Sequence, residues 1–465
     1  MQIPIVNGIY TNDSSDFRTS YPVNLIPVPK SNGISNGYLR PADGIIHLAD
    51  VDGVDRGGIN WNGICYRVCG SNLIRFNQNN TVTIIGSVGG GGQCHFDYSF
   101  DHLAINSGSS LYLYDGTTLK RVTDSDLGTV KDIIWVDGYF MSTDGTYLIV
   151  TELTDPFQVN PLKYGSAEVD PDPINALMKI RNEVYALGRY TIEVFDNVGG
   201  DLFPFARVDG AMIPKGTISA TACCNFLENI AFVGSGRNEP IGIYVGSSAN
   251  AQKISNREID QIIHTYSEAV LSTCLLESRS QDGHNWIYYH LPDQTLVYDF
   301  AATQEMGSPV WFKLSTGIEL SQYTAKNHVW CYDKWIVGHP KLPKLGTLTN
   351  KESHHWGESV NWSFDTAIAY NESRGALFHQ IELIALTGHV YIDKDPTIYT
   401  QYSLDGESWS QPKFIKSGRI GQRAKRLVWL QQGSMNNWRI QRFVGTSDSH
   451  LSIARLEAQI EPLMV

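Results

Sequence analysis

The chain reads as all-β: a six- or seven-bladed β-propeller over residues 46–349, a C-terminal β-sandwich platform over 350–465 and an extended N-terminal arm over 1–45. Three observations carry that reading. Pairs of short apolar runs recur at a regular period through the first three quarters of the chain. The period is lost after about residue 350, where longer alternating runs take over. The 42 glycines and 19 prolines leave no long stretch at helical spacing.

The repeat is clearest over residues 61–86, WNGICYRVCGSNLIRFNQNNTVTIIG. Gly-Ser-Asn and Asn-Gln-Asn-Asn separate three apolar runs, and these residue types tolerate tight turns. Such a meander is too small to be stable alone and needs neighbours. They follow: residues 64–66 with 73–75, 103–105 with 111–113, 139–141 with 147–149, 184–186 with 192–194, 230–232 with 243–245, 286–288 with 296–298, and a weak seventh, 335–337 with 345–348. First runs begin 36 to 56 residues apart, which brackets the spacing of propeller blades. A sandwich of regular hairpins is the alternative, and seven consecutive pairs favour the propeller.

Before the repeat, Pro22, Pro27, Pro29 and Pro41, with Gly33, Gly37 and Gly44, are expected to break regular structure. The apolar residues between them need a surface, either the chain's own C-terminal domain or a neighbouring subunit. Within the repeat, Ser255 and Glu258 have capping-box spacing ahead of Ile259, Ile262, Ile263 and Tyr266, which predicts one short helix packed outside a blade. Beyond residue 350, seven or so alternating segments match a sandwich of roughly 110 residues.

Composition sets further bounds. A chain of 465 residues allows two to four domains at roughly 150 residues each. A formal charge of -12 argues against a generic nucleic-acid coat. No apolar run approaches the roughly 20 residues of a membrane span, and MQIPIVNGIYTND lacks the basic and apolar regions of a signal peptide. Seven cysteines, an odd number, suit buried thiols in a reducing compartment.

Candidate chemistry is sparse. Gly89–Gly92 lacks the Lys-Ser/Thr of a phosphate loop. Asp50, Asp52 and Asp55 imitate the start of a calcium loop without its distal Glu, and read as a hairpin turn. Cys65 and Cys69 lie four apart on one strand face, not at zinc spacing. His354 and His355 could hold a metal, but no partner ligand is readable and an exposed loop is expected. The segment from Ser403 through Asp405 and Gly406 to Trp409 resembles a sialidase Asp-box that is one residue short, and a structural hairpin is the simpler reading. No catalytic residue, cofactor or metal site is expected.

The charge pattern is more distinctive. Between Gln411 and Gly445 lie Lys413, Lys416, Arg419, Arg423, Lys425, Arg426, Arg439 and Arg442, with no Asp or Glu. Either this is a solvated face balanced by acids elsewhere, or it meets an acidic partner, protein or DNA. Trp429 and Trp438 would be its aromatic anchors.

Several stretches, in order, resemble the packaged-DNA stabilisation or tail hub (nozzle) proteins of short-tailed bacteriophages. They are Tyr21-Pro-Val-Asn-Leu25, Gly37-Tyr-Leu-Arg40, Asp43-Gly44, Tyr66-Arg-Val-Cys-Gly70, Val130-Lys-Asp-Ile133, Asp144-Gly145, residues 259–266, Leu291-Pro292 and Leu296-Val-Tyr-Asp299. The resemblance implies a virion protein without enzymatic activity, assembled in the host cytoplasm. It implies a homo-hexameric ring below the portal and head-tail adaptor that retains packaged DNA and conducts it through the lumen. Tailspikes or fibres, and often a needle plug, would dock on it. An acidic lumen would repel phosphates, which places the basic run at a protein joint and makes the arm a strap between subunits. The competing reading is a glycan-binding or glycan-hydrolysing propeller.

Overall fold

Seven antiparallel sheets follow one another through the repeat in the computed structural model, which describes residues 2–6, 8–11, 17–30, 35–167, 169–372 and 374–463. In the first, Asp55–Trp61, Ile64–Cys69, Asn72–Phe76 and Val82–Ser87 pair in chain order. Gly70 makes the second turn at a φ of 60°, where a Cβ would lie 2.9 Å from the Asp52 carbonyl oxygen. The next five blades have first strands at His95–Tyr98, Asp132–Val136, Ile174–Ile180, Cys223–Phe226 and Leu275–Gln281. Each first strand touches the next, and the seventh, Lys326–Cys331, returns to Asp55–Trp61. The first strands therefore form the inner ring of a closed seven-bladed propeller.

Blade 7 is composite. Lys326–Cys331, Lys334–Gly338 and Lys344–Thr349 end the repeat, and Gly44–Asp50 from its beginning pairs antiparallel with Lys344–Thr349. The weak seventh pair of the sequence is thus a full blade that borrows its outer strand. A hydrogen-bonded ladder closes the ring, so the first and last blades cannot part without breaking it.

Acidic residues on the inner strands clasp neighbouring blades. Asp97 Oδ2 accepts from the Trp135 backbone N–H (2.6 Å) and the Lys179 ammonium (2.7 Å), and Asp132 Oδ2 accepts from the Leu177 N–H (2.8 Å). Glu277 Oε2 accepts from the His328 N–H at 2.8 Å. Cys65 and Cys69 pack with Phe76, Val329, Cys331, Ile336 and Leu345 between blades 1 and 7. Burial there pushes the Cys65 thiol up to about 12, which makes it inert as a nucleophile.

The short helix is Arg257–Ile263, and it buries Ile259 and Ile263. Its cap differs from the expected one: Asn256, not Ser255, accepts the Ile259 N–H, because Ser255 Oγ is engaged by Asp260 and the Ile243 N–H. Two further short helices, Glu268–Leu271 and Phe300–Met306, carry no periodic signal in so few residues.

The C-terminal sandwich has two sheets. One orders Leu25–Pro29, Gly37–Pro41, Ser452–Pro462, Ala376–Leu386 and Leu427–Leu430; the other orders Asn361–Asp365, Trp438–Thr446, Thr397–Ser403 and Lys413–Lys416. Between them Trp362, Phe364, Phe378, Ile381, Trp429, Phe443 and Leu456 form the core, joined by Ile3, Leu25 and Leu39 from the N-terminal segment. The prolines therefore do not break regular structure as expected. Pro27 and Pro29 lie in an edge strand, where a missing N–H costs no ladder bond. Gly33 and Ile34 of the arm lie outside the described residues.

Residues 22–24 staple the propeller to the sandwich. Val23 exchanges backbone hydrogen bonds with Ser363 of the sandwich (2.9 and 3.1 Å), while Lys313 of blade 6 bonds Pro22 and Asn24 (both 2.9 Å). The Asn24 side chain accepts from the Ser315 N–H (2.9 Å) and donates to the Asn361 carbonyl (2.6 Å). Asn24 sits at a φ of 54°, a conformation Asn tolerates better than other non-glycine residues. Asn24→Ala loses both side-chain bonds and adds backbone strain, about 2–4 kcal/mol in sum. The expected result is one thermal transition for the parent and separate propeller and sandwich steps for the variant. One coincident transition, by calorimetry and tryptophan fluorescence, would remove the staple's role.

Candidate functional site: the basic face of the sandwich

The basic run spans two sheet edges. Lys413–Lys416 closes one sheet and Leu427–Leu430 the other, and the loop 417–426 crosses between them. That loop is compact: the Gly421 N–H donates to the Gly388 carbonyl (3.0 Å) and Thr387 Oγ1 to the Gln422 carbonyl (3.0 Å).

The structure divides the ten candidates into three groups. Trp429 and Arg439 are not surface residues. Trp429 is 2% exposed in the sandwich core, its indole N–H donating to the Lys413 carbonyl at 2.9 Å. Arg439 is 1% exposed, lies over Phe378 and Tyr402, and donates to Gln441 Oε1 and the Gln432 carbonyl. Both belong to packing, a correction to the sequence reading: strand alternation turns them inward.

The second group is neutralised locally. Arg442 forms a bidentate pair with Asp365 (2.7 and 2.8 Å) and stacks on Trp409, 3.8 Å from its ring centroid. Arg426 does the same with Glu382 (2.7 and 2.5 Å), and Lys416 pairs with Asp395 at 2.5 Å. Arg419 lies 3.8 Å from that same carboxylate. The acids sit on strands or loops distant in sequence, so the run's isolation from Asp and Glu is a property of the sequence only. Trp438 is half-buried under Phe17 of the hairpin Gly8–Thr11 with Phe17–Ser20.

Lys413, Arg423 and Lys425 form the third group. Lys413 caps the Gln431 carbonyl, and among the described residues Arg423 and Lys425 make no ion pair within 4.0 Å. Arg423 lines a shallow cleft of about 390 Å³ with Ile392, Ile420, His389 and His450. Leu386, Ile392 and Ile420 are 67%, 71% and 62% exposed. Arg423, with no ion pair among the described residues and beside exposed Ile392 and Ile420, suits protein recognition better than phosphate tracking.

Other candidates settle into structural roles. Asp55 is buried against Arg67, and Asp50 pairs with His47. His354 and His355 are 4% and 2% exposed rather than in an exposed loop, held by Asp448 and Thr316 respectively. In the Asp-box-like turn, Ser403 Oγ accepts from the Gly406 N–H, and Asp405 Oδ1 accepts from the Glu407 and Ser408 N–H groups. All those bonds stay within the turn.

A closed propeller joined to a two-sheet sandwich defines the class of protein, and the sequence places the chain within it: it belongs to the family described as bacteriophage P22 Gp10. The model of the family's β-propeller matches residues 1–353 and that of its β-sandwich matches residues 361–461. Tail hub protein gp10 of Salmonella phage P22 is 28% identical over 477 aligned positions, covering 96% of this chain and 95% of that protein. Among solved structures, the computationally designed Ika8 protein aligns at a TM-score of 0.41 and 10% identity, over 66% of this chain and all of that one. The WD40 domain of Neurospora crassa Pan2 aligns at 0.40 and 9%, over 64% and 89%. Those two likenesses are too distant to bear on function.

Proposed function

We propose that this chain is a structural tail hub protein of a bacteriophage virion, without enzymatic activity. The observation that carries the reading is the end-to-end match to tail hub protein gp10 of Salmonella phage P22, through propeller and sandwich alike. On this reading the arm (1–45), propeller (46–349) and platform (350–465) build a six-fold ring that extends the portal-adaptor channel, retains packaged DNA and conducts it at ejection. Propeller loops dock tailspikes or fibres, and a needle or plug closes the end. A charge of -12 keeps the conduit from binding phosphates. Arg423, beside exposed Ile392 and Ile420, and Lys425, neither of them in an ion pair among the described residues, serve as the joint to an acidic patch on the adaptor.

The test reverses those two cations and leaves Arg426, which is held by Glu382, in place. Arg423→Glu/Lys425→Glu is expected to fold normally and to reduce assembly onto portal-adaptor complexes by ten-fold or more, as counted in micrographs. Normal assembly with slowed DNA release would place the two residues in the channel instead. Turnover of host polysaccharide by the purified protein would overturn the structural reading in favour of a glycan-degrading propeller.

A further inference from the structure

Blade 6 meets blade 7 through an arrangement found at no other blade junction among the described residues. Glu277 lies on Leu275–Gln281, His290 ends the adjacent strand His284–His290, and His328 lies on Lys326–Cys331 of the next blade. One donor atom from each of the three lies within 4.8 Å of the others. Glu277 Oε1 is 2.6 Å from His290 Nε2 and 2.8 Å from His328 Nδ1. Both imidazoles are fully buried, and the carboxylate is nearly so, its side chain 13% exposed.

Two features separate this cluster from an ordinary inter-blade clasp. The first is the counter-charge. Asp55 is met by the Arg67 guanidinium, Asp97 by the Lys179 ammonium and Asp43 by Arg40 and Arg279, each a permanent cation. Asp132 has the single imidazole of His95 at 3.5 Å. Among the described residues only Glu277 has two imidazoles converging on one oxygen, and Lys326 makes no ion pair with it. The second feature is His328 itself. Among the described residues neither ring nitrogen has a partner in hydrogen-bond geometry, although the ring is fully buried. A buried polar group left in that state is costly and rare in folded proteins. Its Nδ1 lies 2.8 Å from the Glu277 oxygen without meeting hydrogen-bond geometry.

The surroundings already orient the ligands. Thr295 Oγ1 lies 3.0 Å from His290 Nδ1, which leaves Nε2 to face Glu277. The His290 ring is parallel to Tyr288 and Tyr323, and the His328 ring lies 4.8 Å from Tyr288. The backbone N–H groups of Asn327 and His328 hold the carboxylate (3.2 and 2.8 Å). Such second-layer contacts accompany metal ligands as a rule. Two histidines and a glutamate are a known donor set for zinc, with bonds of about 2.0–2.2 Å. Tetrahedral donors at those bond lengths lie about 3.3–3.6 Å apart, so Glu277 Oε1 draws back from the two imidazole nitrogens by about 0.5–1 Å to admit the ion.

We propose that Glu277, His290 and His328 bind one divalent transition-metal ion of the zinc type, which cross-links blades 6 and 7. The fourth position is left to water. The ion supplies the positive charge that arginine or lysine provides to Asp55, Asp97 and Asp43, and it satisfies the His328 ring. The inference is independent of the tail hub reading.

Full-length protein stripped with EDTA is equilibrated with zinc chloride, passed through gel filtration and measured for zinc content and thermal unfolding. The expected result is one zinc per chain and a higher Tm than in EDTA. His328→Ala is expected to lose the zinc and the zinc-dependent rise in Tm, while its Tm in EDTA matches that of the EDTA-treated parent. A parent protein that emerges zinc-free, or a His328→Ala variant that keeps a full equivalent, overturns the proposal. Should the variant not fold, cobalt(II) titration of the parent decides: tetrahedral visible absorption saturating at one equivalent supports the site, and its absence removes it.

Discussion

Replacing Arg67 with methionine is expected to destabilise the propeller by about 3–5 kcal/mol, the usual consequence of stranding one member of a buried ion pair. Arg67 and Asp55 are both fully buried. The guanidinium donates to Asp55 through Nε (2.8 Å) and Nη2 (2.7 Å), and to the Asn327 and Ile336 carbonyls of blade 7 (3.0 and 3.3 Å). Asn327 Nδ2 completes the network with a 2.6 Å bond to Asp55. Burial pulls the Arg67 pKa down, and the adjacent Asp55 charge more than reverses it, so the pair is ionised. The network lies where the ring closes. Against a total stability of about 5–15 kcal/mol, the loss is large. Asp55→Asn/Arg67→Met removes the stranded charge and is expected to recover part of it, read from urea midpoints. Equal losses in the single and double variants would mean that packing, not charge, closes the ring.

Acid is expected to weaken the fold well before carboxylates titrate. Burial lowers His339 to about 4 and His355 to about 3, reinforced by Lys344 and Lys341 around the first and by His354 beside the second. His339 Nδ1 accepts backbone N–H bonds from Lys341 and Leu342 (3.0 and 2.9 Å), which a protonated ring cannot do. In the unfolded chain both histidines protonate near 6.5. Their neutral, buried state thus contributes full stability above that value and progressively less as pH falls, because the unfolded chain takes up the protons first. Each accounts for a loss of about 2 kcal/mol at pH 5 and about 3 kcal/mol at pH 4, as an upper limit. Burial lowers His450 in the same direction. Urea unfolding at pH 7, 6 and 5 measures the slope, and His355→Gln is expected to flatten it. A midpoint unchanged from pH 6.5 to 5 would show that these rings gain protons without disturbing the fold.

The sequence marks Arg67 and the two histidines differently. Arg67 lies in Tyr66-Arg-Val-Cys-Gly70, the strongest of the stretches that suggest the family, although nothing in that string says what the arginine touches. His339 and His355 lie in loops without any pattern. The same contrast runs through the basic face. Eight cations in 35 residues are plain in the sequence, but Asp365, Glu382 and Asp395, which neutralise four of them, are not in the run. Only Lys413, Arg423 and Lys425 keep the character the sequence assigned to all. Trp429 and Arg439 alternate inward on strands whose phase the run of charges concealed.

The sequence by itself determined the repeat, the change of pattern near residue 350 and the family, because period-two apolar runs and turn residues are local signals that survive without partners. The tertiary structure alone decided what meets across the chain. Gly44–Asp50 closes blade 7 from 300 residues away, the N-terminal strands complete the sandwich, and Asn24 joins the domains. Glu277, His290 and His328 share one oxygen only because two blades adjoin. Such contacts depend on which strands become neighbours when the ring closes, and spacing along the chain does not encode that.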